Sequence, residues 1–223
     1  MLTNPNDKAT FQADYSEINT MLKYSFVVMS LVFCSAAFAG AQKEEQLSSN
    51  VQTSMQRSIN DGQSPRLVFA TSAEGQAWLA AMSARLAKRI PDEFVRRTLL
   101  TTIHYEASRA GLDPQLVLGL VHVESGFNRY ALSVVGARGL MQVMPFWQRS
   151  IGSSTHNLFD INTNLRYGCT ILRHYLDIEN GDYFRALGRY NGSLGRAEYP
   201  NLVYGAWKNY YAYATSNTTL AEK

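Results

Sequence analysis

A helix-forming segment, residues 113–126, constrains the fold of this chain more than any other part. Asp113 is a suitable N-cap, and Pro114 fits the first helical turn, where its missing N–H costs nothing. Residues 115–123 are apolar nearly all round, which predicts a buried helix rather than an amphipathic one. Gly126 then supplies helix-stop chemistry. The rest of the domain is therefore expected to pack around this helix.

One carboxylate, Glu124, stands at the C-terminal end of the apolar helix. Burial disfavours the charged form of a carboxyl group and raises its pKa, and the negative end of the helix dipole acts in the same direction, by a few tenths to about 1 kcal/mol. A carboxylic acid that is still protonated near neutral pH can protonate the leaving oxygen of a glycosidic bond. The alternative is a solvated structural glutamate, and the helix alone favours that alternative.

Four motifs follow one another in the chain, and together they resemble a known family. They are Glu124-Ser125-x-Phe127, Gly136-Ala137-x-Gly139-Leu140-Met141-Gln142-Val143-Met144-Pro145, Asn164-x-x-x-Gly168 and Ala186-Leu187-x-x-Tyr190-Asn191. They resemble the SLT-type lytic transglycosylases, the glycoside hydrolase family 23 enzymes with a goose-lysozyme-like fold, over roughly residues 112–207. The resemblance implies an enzyme that cleaves the bond between N-acetylmuramic acid and N-acetylglucosamine in peptidoglycan and leaves 1,6-anhydromuramic ends.

Carried over position by position, the resemblance makes Glu124 the single catalytic acid and base. Ser133 matches a polar residue that binds near the N-acetyl group, and Tyr190 matches the tyrosine that faces the catalytic carboxylate. Gln142 interrupts an apolar run, so it is either a buried hydrogen-bond donor or a ligand contact, and the resemblance favours the ligand contact. The remaining candidate substrate contacts are Met141, Met144 and Asn191.

The chain departs from the family pattern in two places. The family usually has an Ala-x-Tyr-Asn-Ala-Gly run, whereas residues 188–193 read Gly-Arg-Tyr-Asn-Gly-Ser. Ile171 stands where the family often has an aromatic residue. The first difference affects the geometry expected for the loop after Tyr190, and neither involves Glu124.

Most glycosidases use two carboxylates, but the resemblance supplies only Glu124. It implies that Glu124 acts first as an acid and then as a base on the C6 hydroxyl of the substrate. Two rival functions stay open: a lysozyme-type hydrolase, and a non-catalytic wall-binding protein that serves a secretion or conjugation apparatus. His122 lies two residues before Glu124, which is not a zinc spacing, and we expect no metal and no other cofactor. Whether cleavage is internal or from chain ends is not predicted.

Residues 1–39 are expected to form an N-terminal extension and a secretory signal peptide. A start-like sequence opens at Met21, residues 24–33 form an apolar core, and Ala37-Phe38-Ala39 is a small-x-small cleavage site. The core is too short to span a bilayer, which takes about 20 residues. We expect a periplasmic or exported protein cleaved after Ala39, with an uncleaved membrane anchor as the alternative.

The remaining chain is expected to contain one mainly α-helical domain, lysozyme-like and with a substrate groove, over residues 67–214. Residues 40–66 are rich in Gln, Ser and Asn, which predicts a flexible linker, and residues 215–223 are expected to be a disordered tail. After removal of the signal, Cys169 is a lone cysteine that cannot form an intrachain disulfide, and we expect it to be buried.

Charge adds little to this assignment. Residues 1–39 hold two of the 21 basic and three of the 18 acidic residues, so the mature chain carries a formal charge of +4. A mildly basic protein would associate with an anionic cell wall. No basic run with interleaved aromatics occurs, so no nucleic-acid partner is expected. The expected partners are peptidoglycan strands, a partner in the envelope machinery stays open, and a monomer is expected.

Overall fold

Helices dominate the part of the chain that the computed structural model describes, residues 42–69 and 71–214. They are α1 (Ser49–Ile59), α2 (Ser72–Leu86), α3 (Glu93–Arg109), α4 (Pro114–Ser125), α5 (Phe146–Ile151), α6 (Ile161–Ile178), α7 (Tyr183–Asn191) and α8 (Glu198–Ala206), and a π-helical turn, Trp207–Tyr211, continues α8. The β-structure within these two ranges consists of isolated bridges. The prediction of a single, mainly α-helical domain is confirmed. The predicted signal peptide and C-terminal tail lie outside the described residues.

Side-chain caps begin most of these helices where the sequence predicts. Thr71 and Glu74 form the reciprocal capping box of α2. Asp113, Asp160 and Asp182 accept backbone N–H groups at the starts of α4, α6 and α7. Because each cap satisfies otherwise unpaired N–H groups, these boundaries are set locally.

Two prolines lie near helix starts without being the first residue of the helix. Pro91 lies before α3, because the Asp92 side chain accepts the Val95 N–H and makes Asp92 the N-cap. Pro200 lies inside the first turn of α8, which begins at Glu198. A proline is tolerated anywhere in the first turn, so its position fixes a helix start only to within a few residues.

Helix α4 is the buried centre of the domain, as its apolar sequence predicts. It packs against α3, α8 and the π-helical turn. Gly119 allows a close approach there, since a Cβ at this position would lie 2.9 Å from the backbone N of Trp207 and 3.0 Å from the carbonyl of Val203. The helix ends at Ser125, and Gly126 adopts the left-handed conformation with φ 56°.

Helix α6 contributes a second apolar face to the core. Leu165, Cys169, Leu172 and Leu176 follow one another at helical spacing and are buried. The Cys169 thiol is free and fully buried, and burial raises its pKa. A packing role for Cys169 is confirmed.

The interpretation of residues 40–66 as a flexible linker is wrong for their described part. Residues 49–59 form α1, which packs against α5 and α6. Met55 and Ile59 are each only 5% exposed, and Val51 packs beside them. These three apolar residues recur every four positions, which makes an apolar stripe, and the polar composition of the segment hides that stripe.

No described helix combines the length and the apolar character needed to cross a bilayer.

Candidate active site

Glu124 is a buried carboxylate at the end of the central helix. Its residue is 4% exposed, and Oε1 accepts a hydrogen bond from the hydroxyl of Tyr199, which lies in the first turn of α8 and is 2% exposed. Burial and the adjacent Glu124 carboxylate raise the pKa of Tyr199 well above its usual range. The Tyr199 hydroxyl therefore remains protonated and holds one oxygen of the carboxyl group.

From the sequence, Tyr190 is expected to face the catalytic carboxylate, and Tyr190 lies close enough to Glu124 to be affected by its charge. The Tyr190 hydroxyl donates to the carbonyl of Met141 at 2.7 Å. Burial, with the Glu124 charge nearby, raises the pKa of Tyr190 well above its usual range. The sequence does not single out Tyr199. No local signal identifies it, because the pairing of α4 with α8 is a tertiary contact.

Gln142 is a buried donor in the loop between α4 and α5. Its side-chain nitrogen donates to the carbonyls of Gly139 at 2.9 Å and Ala131 at 3.2 Å, and the residue is 2% exposed. Its backbone has a positive φ of 47°, which is uncommon for a residue other than glycine. Of the two alternatives that the sequence left open, the geometry supports the hydrogen-bond donor and not the ligand contact.

Met141 belongs to the core and not to the substrate surface. It is fully buried, and its sulfur lies 4.0 Å from the Cys169 sulfur. Its N–H donates to Oδ1 of Asn164 at 2.8 Å. The predicted substrate contact of the Met141 side chain is therefore wrong. The residue instead anchors the loop through its backbone, because its carbonyl accepts from Tyr190.

The Asn-x-x-x-Gly motif on α6 holds this loop in place. The Asn164 side-chain nitrogen donates to the carbonyls of Arg138 at 2.8 Å and Leu158 at 2.7 Å, and Asn164 is fully buried. Gly168 lies one turn further along the same face and leaves the space that Met141 fills. The motif spacing therefore reflects one polar and one steric contact with the same loop.

A methyl group at Gly168 is expected to destabilise the fold. A Cβ there would lie 2.3 Å from Sδ and 2.7 Å from Cβ of Met141, so Gly168→Ala should lower the free energy of unfolding by about 1–3 kcal/mol. Gly205→Ala on α8 is the matched control, because a Cβ there meets nothing within 4 Å, and it should stabilise by up to about 1 kcal/mol. Urea denaturation measures both. Equal effects of the two variants would contradict the packing argument.

Ser125 connects the catalytic helix to the same loop. Its hydroxyl lies 2.8 Å from the carbonyl of Leu140 and 3.1 Å from that of Val121, and it accepts the N–H of Phe127 at 3.2 Å. From the sequence, Ser125 is named only as a member of the first motif. The structure shows that it also ties the end of α4, next to Glu124, to the loop that follows.

The other residues that the resemblance assigns to substrate binding are Ser133, Met144 and Asn191. Ser133 closes a tight turn, since its N–H donates to the Ala137 carbonyl and its hydroxyl accepts the Ala137 N–H, both at 3.0 Å. The tip of this turn, Val134, is fully exposed. Met144 is half-buried, and Asn191 is 7% exposed at the end of α7. Substrate roles for these residues stay predictions.

The chain is similar in sequence to known proteins over part of its length. The chain is 40% identical to a transglycosylase of Enterobacteria phage PRD1, over 44% of this chain and 36% of that protein. It is 36% identical to the membrane-bound lytic murein transglycosylase C of Haemophilus influenzae strain PittEE, over 44% of this chain and 32% of that protein. The chain thus spans about a third of the length of these relatives.

A solved structure of an inactive mutant of the lytic transglycosylase Slt from Pseudomonas aeruginosa aligns with 84% of this chain and 39% of its own, at 19% identity and a TM-score of 0.41. Residues 101–211 match the family described as the transglycosylase SLT domain. This range contains Glu124, the loop that Asn164 holds, and the tyrosines Tyr190 and Tyr199. The chain therefore belongs to the family of SLT-type lytic transglycosylases, with residues 101–211 as its SLT domain.

Proposed function

We propose that this chain is a peptidoglycan lytic transglycosylase. It cleaves the bond between N-acetylmuramic acid and N-acetylglucosamine and forms 1,6-anhydromuramic ends. The observation that carries the proposal is the buried Glu124 carboxyl group, held by Tyr199 inside the SLT match. Both relatives named above are called transglycosylases, and the Haemophilus protein is called a murein transglycosylase.

The proposed reaction uses one carboxyl group twice. Protonated Glu124 donates to the glycosidic oxygen as the bond from that oxygen to C1 breaks. The N-acetyl oxygen of the same sugar stabilises the positive charge at C1. The ionised Glu124 then takes the proton of the C6 hydroxyl, whose oxygen bonds to C1 and closes the anhydro ring. No water is consumed.

The support for the anhydro product over hydrolysis is the naming of both relatives as transglycosylases. In this proposal Tyr199 fixes the orientation of the carboxyl group. Gln142 and Tyr190 act indirectly, because their side chains hold the loop that runs from Gly139 to Pro145.

Mass spectrometry of fragments released from purified sacculi tests the function. The expected products carry 1,6-anhydromuramic ends. Fragments with reducing ends would replace the proposal with the lysozyme-type hydrolase. Binding to sacculi without release of soluble fragments would replace it with the non-catalytic wall-binding protein. The same digests show whether cleavage is internal or from chain ends, because only internal cleavage releases long glycan fragments early.

We also propose that the protein acts in the cell envelope. The support is the signal-peptide pattern of residues 21–39 and the membrane-bound designation of the Haemophilus relative. N-terminal sequencing of the protein from a periplasmic fraction should give Gly40 as the first residue. Recovery of the uncleaved chain in the membrane fraction would support the anchor alternative.

Tyr199→Phe is expected to lower kcat for fragment release by about ten- to a hundred-fold, with KM nearly unchanged. The variant removes a hydrogen bond that meets a charged carboxylate once Glu124 has given up its proton, worth about 1.5–3 kcal/mol, and leaves the ring packing intact. Tyr210→Phe is the matched control, because Tyr210 lies in the π-helical turn after α8 and is 57% exposed. A wild-type kcat for folded Tyr199→Phe would show that Tyr199 does not orient Glu124.

A further inference from the structure

The segment before α1 places one polar side chain in the interior of the domain. Gln42 has no regular secondary structure and precedes the SLT match by almost sixty residues, yet it is only 4% exposed. Burial of an amide side chain is unfavourable unless hydrogen bonds replace those it made to water. The partners of Gln42 therefore show what its burial accomplishes.

Those partners belong to the loop of the candidate active site, to the helix α5 that follows it, and to α7. Oε1 of Gln42 accepts the indole N–H of Trp147 at 3.0 Å and the backbone N–H of Met144 at 3.3 Å. Its side-chain nitrogen donates to the carbonyl of Gln142 at 3.4 Å. The Gln42 side chain also lies close enough to the Tyr190 hydroxyl to oppose the increase in pKa that burial and Glu124 cause. One side chain thus connects the loop, α5 and α7.

The loop needs such a restraint. Its central residue, Gln142, has a positive φ of 47°, a conformation that costs free energy and persists only when surrounding contacts fix it. Gln42 contacts the carbonyl of this same residue and the N–H two residues later. Tyr190 holds the preceding carbonyl, that of Met141, at 2.7 Å. Gln42 and Tyr190 therefore fix consecutive peptide groups of the loop from two sides.

The residues after Gln42 make further contacts with the domain, away from the motif loop. The Gln52 side-chain nitrogen donates to the Ser150 carbonyl at 2.7 Å at the end of α5. Between Gln42 and Gln52 in the chain, two glutamates form ion pairs at exposed or partly exposed positions. Glu44 lies 4.0 Å from Arg149, and Glu45 lies 3.8 Å from Arg189. Such pairs contribute little individually, at most about 1 kcal/mol. The contacts that hold residues 42–52 most firmly are therefore the buried or half-buried hydrogen bonds of Gln42 and Gln52.

We propose that Gln42 is a positioning residue of the active site, supplied by a segment outside the SLT match. It holds the loop of residues 139–145 and the Tyr190 hydroxyl in the arrangement that places substrate against Glu124. The inference rests on the proposed function for its catalytic part. The hydrogen bonds of the Gln42 side chain do not depend on that function.

The test compares Gln42→Met with Gln52→Met in the exported chain. Both changes preserve side-chain length and remove hydrogen bonds from the same segment, but only Gln42 contacts the motif loop. We expect Gln42→Met to lower kcat for fragment release by about ten-fold or more, with KM changed less than about two-fold, since small misplacements of a site reduce rate steeply. Gln52→Met should keep the wild-type kcat at temperatures where both variants are folded.

A spectroscopic signal separates this proposal from the proposed function. The indole N–H resonance of Trp147, assigned in ¹⁵N-labelled protein with Trp147→Phe, should move upfield in Gln42→Met and stay in place in Gln52→Met. An unmoved resonance, or equal losses of kcat in the two variants, would overturn the positioning role. If the wild-type chain released no fragments, the proposed function would fail. The Trp147 resonance and the exchange rate of the Met144 amide would then still decide whether Gln42 orders the loop.

Discussion

Glu124→Gln is expected to lower the rate of fragment release from purified sacculi by at least about a thousand-fold. A positioned acid or base contributes about a hundred- to ten-thousand-fold, and Glu124 serves as both in the proposed reaction. The carboxamide has no acidic proton to donate to the glycosidic oxygen and does not take one from the C6 hydroxyl. It still accepts the Tyr199 hydroxyl, so the buried contact and the fold should survive.

Glu198→Gln is the matched control for this prediction. Glu198 lies next to Tyr199 and is exposed, so the same chemical change there removes a charge near the site without altering the buried carboxyl group. Release by Glu198→Gln should equal that of the wild type. Thermal unfolding of both variants should resemble the wild type. Undiminished release by a folded Glu124→Gln variant would show that another group performs the acid step.

Glu106→Ala is expected to lower the free energy of unfolding by about 3–5 kcal/mol, a large part of the 5–15 kcal/mol typical of a domain. Glu106 is fully buried on α3. One carboxylate oxygen accepts from Nε of Arg109 at 2.9 Å, and the other accepts from Nε and Nη2 of Arg166 at 3.0 and 2.9 Å. Removal of the carboxylate leaves two guanidinium groups, each about 15% exposed, without their shared counter-charge.

The effect should extend beyond the contact between α3 and α6. Arg166 also donates to the carbonyl of Asp61, in the connection between α1 and α2. Loss of Glu106 therefore frees an arginine that joins three parts of the chain. Amide exchange should show the largest loss of protection in α3, α6 and this connection.

Glu93→Ala separates burial from the mere loss of an ion pair on the same helix. Glu93 pairs with Arg97 at 3.9 Å, and its side chain is 69% exposed. Exposed pairs of this kind contribute little, so the free energy of unfolding should change by less than about 0.5 kcal/mol. Urea denaturation of the two variants gives the comparison. Similar losses for Glu106→Ala and Glu93→Ala would contradict the role assigned to burial.

Local patterns were sufficient to predict the main elements. Asp113, Asp160 and Asp182 cap their helices because a short carboxylate before a helix satisfies its first N–H groups, whatever the rest of the fold. The all-round apolar sequence of α4 predicted its burial, and Gly126 predicted its end. Helix α1 was missed because a polar composition concealed its apolar stripe, and that stripe has meaning only against α6.

The sequence by itself determined the helical fold, the burial of the central helix and the position of Glu124 at its end, because these depend on residues within a few turns of one another. Only the tertiary structure decided which side chains surround Glu124. Tyr199 lies 75 residues from Glu124, and Gln42 lies 100 residues from Gln142. A sequence motif also identifies a residue without giving the direction of its side chain. Met141 and Gln142 match a substrate-site motif, but Asn164, Gly168 and the loop carbonyls direct both into the protein, because buried polar groups and core volume must be satisfied there first.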